Sequence, residues 1–285
     1  MRRQTKENVF LPPMPKENSR YRRILLTGAA GGLGKVLREQ LAAHADIVRV
    51  SDREPLAPAK PNEEAIQCDL SDRQAVHALV EGVDAIVHFG GISVESKFDS
   101  ILQSNIVGAF NIYEAARKHG VKRVVFASSN HVTGFYKQTE RISPEDPVRP
   151  DGLYGVSKAF GENLSRFYYD RHGIETACLR IGSSFPTVKD RRMMHTFLSY
   201  DDLGELVRRA LFAANLGHTV VYGVSNNVGT WWDNSKAAAR LGFKARDSSE
   251  PQRKRVETET PVPAADDPAR VYQGGAFTRD GPFDN

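Results

Sequence analysis

Tyr154 and Lys158 stand four residues apart in the run Leu153–Lys158, so a helix over this segment places both side chains on one face. A phenol has a pKa of ~10 in water, too high for a general base at neutral pH. A lysine cation one turn away favours the phenolate and lowers the pKa of the phenol. The pair can then accept the proton of an alcohol. The same spacing is common on exposed helices, so the spacing alone does not identify a catalytic pair.

A glycine turn lies upstream of this pair. Gly28, Gly31 and Gly34 follow the apolar run Arg23–Thr27 and precede the helix-like segment Lys35–His44. Strand, glycine turn and helix form the context of a phosphate-binding loop, because glycine lets backbone N–H groups approach a pyrophosphate and the helix N-terminus attracts it. This order predicts a dinucleotide site.

An acidic residue ends the second predicted strand, Ile47–Asp52. Asp52 lies 18 residues after Gly34, near the distance at which an acid bonds the adenosine ribose hydroxyls. A carboxylate there would repel a 2′-phosphate, so the sequence predicts NAD rather than NADP. The neighbouring Arg53 leaves NADP open as an alternative.

Short apolar runs alternate with helix-like segments along the first two-thirds of the chain. This alternation predicts an α/β fold of Rossmann type, a doubly wound and mostly parallel sheet, with a small C-terminal substrate-binding portion. The later predicted strands are Ala65–Cys68, Asp84–Phe89, Lys122–Ala127, Ile174–Gly182 and Thr219–Gly223. Carboxyl ends of parallel strands meet at one edge, where ligands bind. The polar residues expected there are Ser93, Ser129, Asn130, His131 and Ser183.

The segment Phe98–His119 is predicted to be one long helix, with Phe98, Ile101, Leu102, Ile106 and Phe110 near the spacing of core positions. Asn105 interrupts its partly apolar face. A buried amide has to be hydrogen-bonded. Asn105 therefore either has a structural role or holds a water in a proton path.

The composition excludes several classes of protein. The 285 residues are 40% hydrophobic and 26% charged, as expected of a soluble globular protein. The net charge of +4 is mild, and no face with interleaved basic and aromatic residues is recognised, so nucleic-acid binding is not expected. No apolar run approaches the ~20 residues that span a bilayer. No apolar segment of a secretory signal follows Arg2 and Arg3. We therefore expect a cytoplasmic protein without a membrane partner.

The cysteines and histidines predict neither a disulfide nor a metal site. Cys68 and Cys178 each lie in an apolar, strand-like run, which favours buried thiols in a reducing compartment over a disulfide. The eight histidines show no metal-ligand spacing. No metal site is predicted.

Three parts of the chain are expected. Residues 1–21 are polar and proline-punctuated and predict a flexible extension. Residues 22–182 form the NAD-binding Rossmann domain that carries the catalytic residues, and residues 183–285 form a smaller substrate-binding portion, the whole being one catalytic unit. From residue 246 the sequence is polar and irregular and predicts an exposed tail. Such tails often pack on a neighbouring subunit, so a homo-oligomer is expected.

In combination, Thr27-Gly28-x-x-Gly31-x-x-Gly34, Asp69-Leu70, Asn105, Ser129 and Tyr154-x-x-x-Lys158 resemble the extended short-chain dehydrogenase/reductase family over about residues 22–225. The resemblance implies catalysis by Tyr154, Lys158 and Ser129. The cofactor-binding residues that it implies are Gly28, Gly31, Gly32, Leu33, Gly34, Asp52, Asp69, Leu70, Gly90, Asn105, Tyr154 and Lys158.

Longer runs are similar to the uronate-oxidising branch of that family. They are Gly90–Glu95, Ala127–His131, Arg149–Lys158, Arg180–Ser183, Trp231–Ser235 and Gln273–Gly275. The similarity implies oxidation of a cyclic hexuronate, glucuronate or galacturonate, at C1 to an aldarolactone, with reduction of NAD. It implies substrate contacts from Ser93, Ser129, Asn130, His131, Ser183 and Arg192. Arg192 would bind the carboxylate through two hydrogen bonds, and Arg191 is the alternative.

Two other functions remain open. A nucleotide-sugar epimerase or dehydratase would use the same Tyr, Lys and Ser, but needs a larger C-terminal region to hold the nucleotide, whereas residues 183–200 are short and basic. An NAD(H)-sensing protein without catalysis would usually lack Tyr154 or Lys158. Both residues are present.

Overall fold

The structure, a computed structural model, describes residues 20–281, 283 and 284. Its strands are β1 (Tyr21–Thr27), β2 (Ala45–Asp52), β3 (Glu63–Gln67), β4 (Ala85–His88), β5 (Arg123–Ser129), β6 (Glu175–Ile181) and β7 (His218–Gly223). Its helices are α1 (Gly32–Leu41), α2 (Arg73–Val80), α3 (Phe98–Ile101), α4 (Gly108–His119), α5 (Leu153–His172), α6 (Met193–Thr196), α7 (Tyr200–Phe212), α8 (Ser235–Leu241), α9 (Arg253–Glu259) and α10 (Pro268–Val271). The predicted extension falls almost wholly on residues 1–19, outside the described part, and Tyr21 already begins β1. Within the described part, no helix is long and apolar enough to cross a membrane.

The strands form one sheet of seven, in the order β3-β2-β1-β4-β5-β6-β7, with every pair parallel. The order reverses between β1 and β4, and in such sheets ligands bind in the crevice outside the carboxyl ends at this point. The predicted doubly wound, Rossmann-type α/β fold is confirmed.

Helices cover both faces of the sheet because successive strand residues point to opposite sides. In β1, Ile24 and Leu26 belong to one core, whose helical members include Leu37 of α1 and Leu203 of α7. Leu25 points to the other core, which α2, α4 and α5 cover. Burial on both faces explains why the strand reads as a continuous apolar run.

The C-terminal part is continuous with the sheet, because β7 pairs with β6 along the register from Thr176 to Ile181. The tail differs from the predicted exposed one. Gln273 is 1% exposed, and its side-chain amide donates to the backbone carbonyls of Lys137 and Glu140. Polar hydrogen bonds thus attach this part of the tail to its own chain, and an apolar pattern in the sequence does not reveal such bonds. The division at residue 182 remains a prediction.

The predicted helix from Phe98 to His119 forms as α3, a π-helical turn (Leu102–Val107) and α4. A π turn inserts an extra residue and rotates the helix that follows. Asn105 within the turn is buried, whereas Phe98 and Phe110 are 42% and 38% exposed, so their predicted core positions are wrong.

Candidate active site

A cleft of about 950 Å³ opens at the carboxyl edge of the sheet. Nearly all of the residues singled out from the sequence line it, although they come from strand ends far apart in the chain. These residues are Gly28, Gly31, Gly32, Leu33, Gly34, Asp52, Asp69, Leu70, Gly90, Ser93, Ser129, Asn130, His131, Tyr154, Lys158, Ser183 and Arg192. The exceptions are Asn105, which lies behind the wall, and Arg191.

The glycine turn is too tight for side chains at two of its positions. Gly28 has a φ of +75°, and a Cβ there would lie 2.5 Å from the backbone of Phe89. A Cβ on Gly34 would lie 2.0 Å from the carbonyl oxygen of Gly28. The turn therefore packs directly against the loop after β4 and the start of α1, and leaves the N-terminus of that helix open to the cleft. This cradle fits a pyrophosphate.

Asp52 lies beside this turn, as the spacing predicted. Its Oδ2 accepts from the backbone N–H of Ala30 at 3.0 Å and its Oδ1 from that of Glu54 at 3.1 Å. These bonds fix the carboxylate at the cleft wall, where it can meet a ribose. Arg53 points to Glu54, 3.2 Å away on the surface.

Asp69 lines the cleft at the end of the segment after β3. Its Oδ1 accepts from the backbone N–H and the hydroxyl of Ser71, both at 2.8 Å. These hydrogen bonds lower the pKa of the Asp69 carboxyl below its usual range. The N-terminus of α2 is capped by Asp72, whose side chain accepts from the backbone N–H groups of Gln74 and Ala75. Asp69 thus shapes the loop against the cofactor end of the cleft.

Tyr154 and Lys158 lie on the first turns of α5, and both are buried. The N-terminus of this helix is held by a residue from a different loop: Glu95 accepts from the backbone N–H of Leu153 at 3.0 Å and from that of Tyr154 at 2.9 Å. A carboxylate at this end satisfies free N–H groups and interacts favourably with the helix dipole. The Nζ of Lys158 lies 5.7 Å from the centre of the Tyr154 ring.

The electrostatics of this pair differ from the sequence expectation. The pKa of Tyr154 is raised to about 12, mainly by burial; a hydrogen bond with Ser129 lowers it and the negative charge of Asp151 raises it, and both are smaller effects than burial. Burial also lowers the pKa of Lys158 to about 8. Removing a group from water penalises its charged form, and burial is the largest cause of both shifts. The Ser129 hydroxyl is the group that stabilises the phenolate.

A buried ion pair holds α5 against the sheet behind the tyrosine. Glu162 accepts from Arg180 of β6 through two hydrogen bonds, Nε at 2.9 Å and Nη2 at 2.8 Å. Its Oε1 also accepts from the hydroxyl of Ser128 at 2.6 Å. Ser128 directly precedes Ser129. The same carboxylate therefore links α5, which carries Tyr154, to the end of β5, which carries Ser129.

Asn105 belongs to this support rather than to the cleft wall. Its Oδ1 accepts from the backbone N–H of Ile92 at 2.8 Å, and its Nδ2 donates to the carbonyl of Ile92 at 3.0 Å and to Ser157 at 2.9 Å. Of the two roles predicted for Asn105, the structural one therefore accounts for every polar atom of its side chain. Asn105 joins the loop after β4 to the catalytic helix.

His131 stands on the short 3-10 turn after β5, opposite Tyr154. Its Nδ1 lies 2.7 Å from Oδ2 of Asp151, whose side chain is fully buried. Phe277, from the C-terminal 3-10 turn Gly275–Arg279, stacks on the imidazole with ring centres 3.8 Å apart. The tail therefore forms part of the cleft wall.

The two arginines have different surroundings. Arg192 faces the cleft: its Nε donates to the carbonyl of Gln273 at 2.6 Å, and its Nη1 lies 3.5 Å from Ser183 Oγ. With the Asn130 amide turned to satisfy both of its ends, Nη2 donates to the amide oxygen at 2.7 Å. Arg191 points away and donates to the carbonyls of Glu257 and Thr260. Burial lowers the pKa of Arg192.

Known proteins match the chain over most of its length. The model of the NAD dependent epimerase/dehydratase family matches residues 24–200. The uronate dehydrogenase of Pseudomonas putida is 60% identical over 92% of this chain and 98% of that protein. The uronate dehydrogenase of Agrobacterium fabrum is 54% identical over 90% of this chain and 96% of that protein.

A solved structure is similar in fold as well. The Agrobacterium tumefaciens uronate dehydrogenase, as a tyrosine-to-alanine mutant complexed with NAD, is 52% identical, with a TM-score of 0.91 over 93% of this chain and 100% of that one. The chain belongs to the uronate dehydrogenases. As a member of this family it is an NAD-dependent oxidoreductase, which confirms the enzyme class and the cofactor predicted from the sequence.

Three residues that shape the cleft were given no role by the sequence. Glu95 and Asp151 lie in the runs that carried the resemblance, but nothing in those runs showed that one caps α5 and the other meets His131. Phe277 follows the last of these runs in a polar tail. Among residues 20–281, 283 and 284, no group of three His, Cys, Asp or Glu residues could hold a metal ion.

Proposed function

We propose that this protein oxidises a cyclic hexuronate, D-glucuronate or D-galacturonate, at C1 to the aldarolactone, with NAD as the oxidant. One observation carries the proposal. Arg192 lies in the same cleft as Tyr154, and in the described part of the chain its guanidinium contacts neutral groups and forms no ion pair. A half-buried cation among neutral acceptors suits a substrate carboxylate, because two charge-assisted hydrogen bonds would compensate the loss of water.

Tyr154 takes the proton of the C1 hydroxyl in this reaction. Ser129, hydrogen-bonded to the phenol, bonds the same substrate oxygen and stabilises the charge that develops on it. Lys158 contributes a cation one turn along the helix and bonds the nicotinamide ribose. NAD, when bound, supplies the electrophilic ring that accepts the hydride from C1. Loss of a proton and a hydride turns the C1 hydroxyl into the lactone carbonyl.

The remaining substrate contacts divide between the carboxylate and the hydroxyls. Arg192 holds the carboxylate together with Ser183, which lies next to its Nη1. Asn130, hydrogen-bonded to Arg192, fixes the plane of the guanidinium. Ser93, on the exposed loop after β4, and His131 are left for sugar hydroxyls.

The proposal is tested by following NADH formation with glucuronate, galacturonate, glucose and galactose side by side. We expect turnover of the uronates and little or none of the neutral sugars. NAD binding without turnover of any of them would instead support an NAD(H)-sensing protein. Reaction with a nucleotide sugar, but with no free uronate, would support an epimerase or dehydratase.

The Asp52→Ala variant tests the cofactor assignment. Because the carboxylate can bond the ribose hydroxyls and repel a 2′-phosphate, its removal should reduce the preference for NAD over NADP by about 10-fold, equivalent to about 1.4 kcal/mol. The measurement is the ratio of kcat/KM for the two cofactors. Asp46→Ala, which removes an acid of the same strand that pairs with Arg20 on the surface, is the control. An Asp52→Ala enzyme with unaltered NAD selectivity would contradict the ribose assignment.

Cytoplasmic location and homo-oligomeric assembly are part of the same proposal. Cys68 and Cys178 are both free and buried, which suits a reducing compartment. Light scattering of the purified protein measures its mass in solution. A particle of 31.6 kDa would exclude the oligomer.

A further inference from the structure

We propose that Asp151 is a positioning residue that keeps a proton on Nδ1 of His131, so that Nε2 faces the substrate as a hydrogen-bond acceptor for a sugar hydroxyl. The inference deepens the proposed function and rests on it. It gives the hexuronate site two recognition elements of opposite character. Arg192 donates to the carboxylate, and His131 accepts from a hydroxyl.

The position of Asp151 is tightly restricted. Its carboxylate lies 2.7 Å from His131 Nδ1, its side chain has no exposed surface, and its Oδ1 has no hydrogen-bond partner among residues 20–281, 283 and 284. A Cβ on Gly134 would lie 1.7 Å from Oδ2, and a Cβ on Gly274 would lie 1.9 Å from it. Two separate segments therefore carry glycine where they meet this oxygen. A buried carboxylate needs a donor, and the only hydrogen bond that its side chain makes among the described residues is with His131.

The imidazole ring is held from its faces as well. Phe277 stacks on it at an interplanar angle of 28°, and the Tyr154 ring meets it at 63° with centres 6.0 Å apart. With Nδ1 taken by Asp151, Nε2 is the remaining polar atom of a ring that lines the cleft. No residue in the described part of the chain hydrogen-bonds to Nε2.

The hydrogen bond to Asp151 decides what Nε2 can do. An ionised carboxylate only accepts, so Nδ1 must donate to it. In the neutral imidazole the other nitrogen then carries a lone pair. That lone pair can accept from a hydroxyl, which is the group a hexuronate offers several times. The reverse tautomer would present a donor and lose this interaction.

The principal test is Asp151→Asn, which nearly preserves shape. An amide can turn its NH₂ group toward Nδ1 and favour the wrong tautomer, as is known for an aspartate-to-asparagine change in serine proteases. We expect KM for the uronate to rise about 10-fold or more, the effect of one lost hydrogen bond in a buried site. The KM for NAD and the melting temperature should stay close to those of the wild type.

Loss of the negative charge of Asp151 would by itself favour the reaction rather than slow it. The negative charge of Asp151 raises the pKa of Tyr154, so neutralising it would make the phenol a more accessible base. A fall in kcat/KM for Asp151→Asn therefore does not follow from the lost charge. Asp170→Asn, the same change in an exposed pair with Arg166, is the matched control and should leave both constants unchanged.

Substrate analogues separate positioning from a merely structural role. Hexuronates that lack the hydroxyl at C2, C3 or C4 are assayed with the wild type and with Asp151→Asn. We expect one analogue to cost the wild type about 10-fold in kcat/KM and to cost the variant little more, because its hydroxyl has already lost its acceptor. Equal penalties in both enzymes for every analogue would overturn the proposal.

A second variant moves the carboxylate without removing it. Gly274→Ala places a methyl group against Asp151 Oδ2 and should give the same analogue pattern as Asp151→Asn. If the wild type oxidises uronates but Asp151→Asn keeps its KM, this inference fails and the proposed function stands. If the wild type oxidises no uronate, both fail.

Discussion

Tyr154→Phe is expected to lower kcat for uronate oxidation by about 10²–10⁴-fold, the usual contribution of a positioned general base. The phenol oxygen is the atom that takes the substrate proton, and phenylalanine removes it without changing the packing of a side chain that is 6% exposed. The affinity for NAD should change little, because the glycine turn and Asp52 lie apart from the phenol. Stopped-flow assay of NADH formation and fluorescence titration of NAD measure the two quantities.

The matched control is Tyr113→Phe. Tyr113 is fully buried in the core on the α2, α4 and α5 face, and its hydroxyl lies 3.3 Å from that of Thr176, away from the cleft. This variant should lose little activity. Near-native turnover by Tyr154→Phe would remove Tyr154 from the role of base, whatever the effect on binding.

Arg192→Ala should raise KM for uronates by about 10- to 150-fold, the range that corresponds to about 1.5–3 kcal/mol for hydrogen bonds to a charged group. The substrate carboxylate would then leave water without a cation to meet it. The guanidinium also bonds Gln273 and Asn130, so the alanine variant loosens the tail. For this reason Arg192→Lys, which keeps the charge but loses the planar fork, is assayed beside it.

Arg191→Ala is the control for that experiment. Arg191 donates to the carbonyls of Glu257 and Thr260 at the end of α9, so its loss should affect stability more than KM. A strong rise in KM from Arg191→Ala, with none from Arg192→Ala, would move the carboxylate site to Arg191. Residual oxidation of neutral sugars should fall much less than oxidation of uronates in Arg192→Ala, since neutral sugars carry no carboxylate.

The pKa of Tyr154 depends on more than its neighbour along the helix. From the sequence, Lys158 was expected to lower the pKa of the phenol. In the structure both groups are buried, and burial raises the pKa of Tyr154 to about 12 while it lowers that of Lys158 to about 8. Spacing along a helix shows that two groups are neighbours, but the amount of water around them depends on the elements that pack over α5.

The sequence by itself determined the features that depend on neighbours along the chain. One turn requires the positive φ of Gly28 and the close approach of Gly34 to the carbonyl oxygen of Gly28, and the glycine spacing predicts both. Asp52 is placed by the strand that it ends. Tyr154 and Lys158 share one helix. Parallel strands then bring these local signals to a common edge, so the fold class and most of the cleft were predictable.

Tertiary structure alone decided which groups meet across the chain. Glu95 caps the catalytic helix from 58 residues away, Asp151 meets His131, and Phe277 comes from a tail that has no apolar pattern. It also separated Arg192 from Arg191, adjacent residues whose side chains point to different places. Such contacts have no period or spacing, because they depend on how loops from distant segments pack together, and a pattern along the chain cannot encode that arrangement.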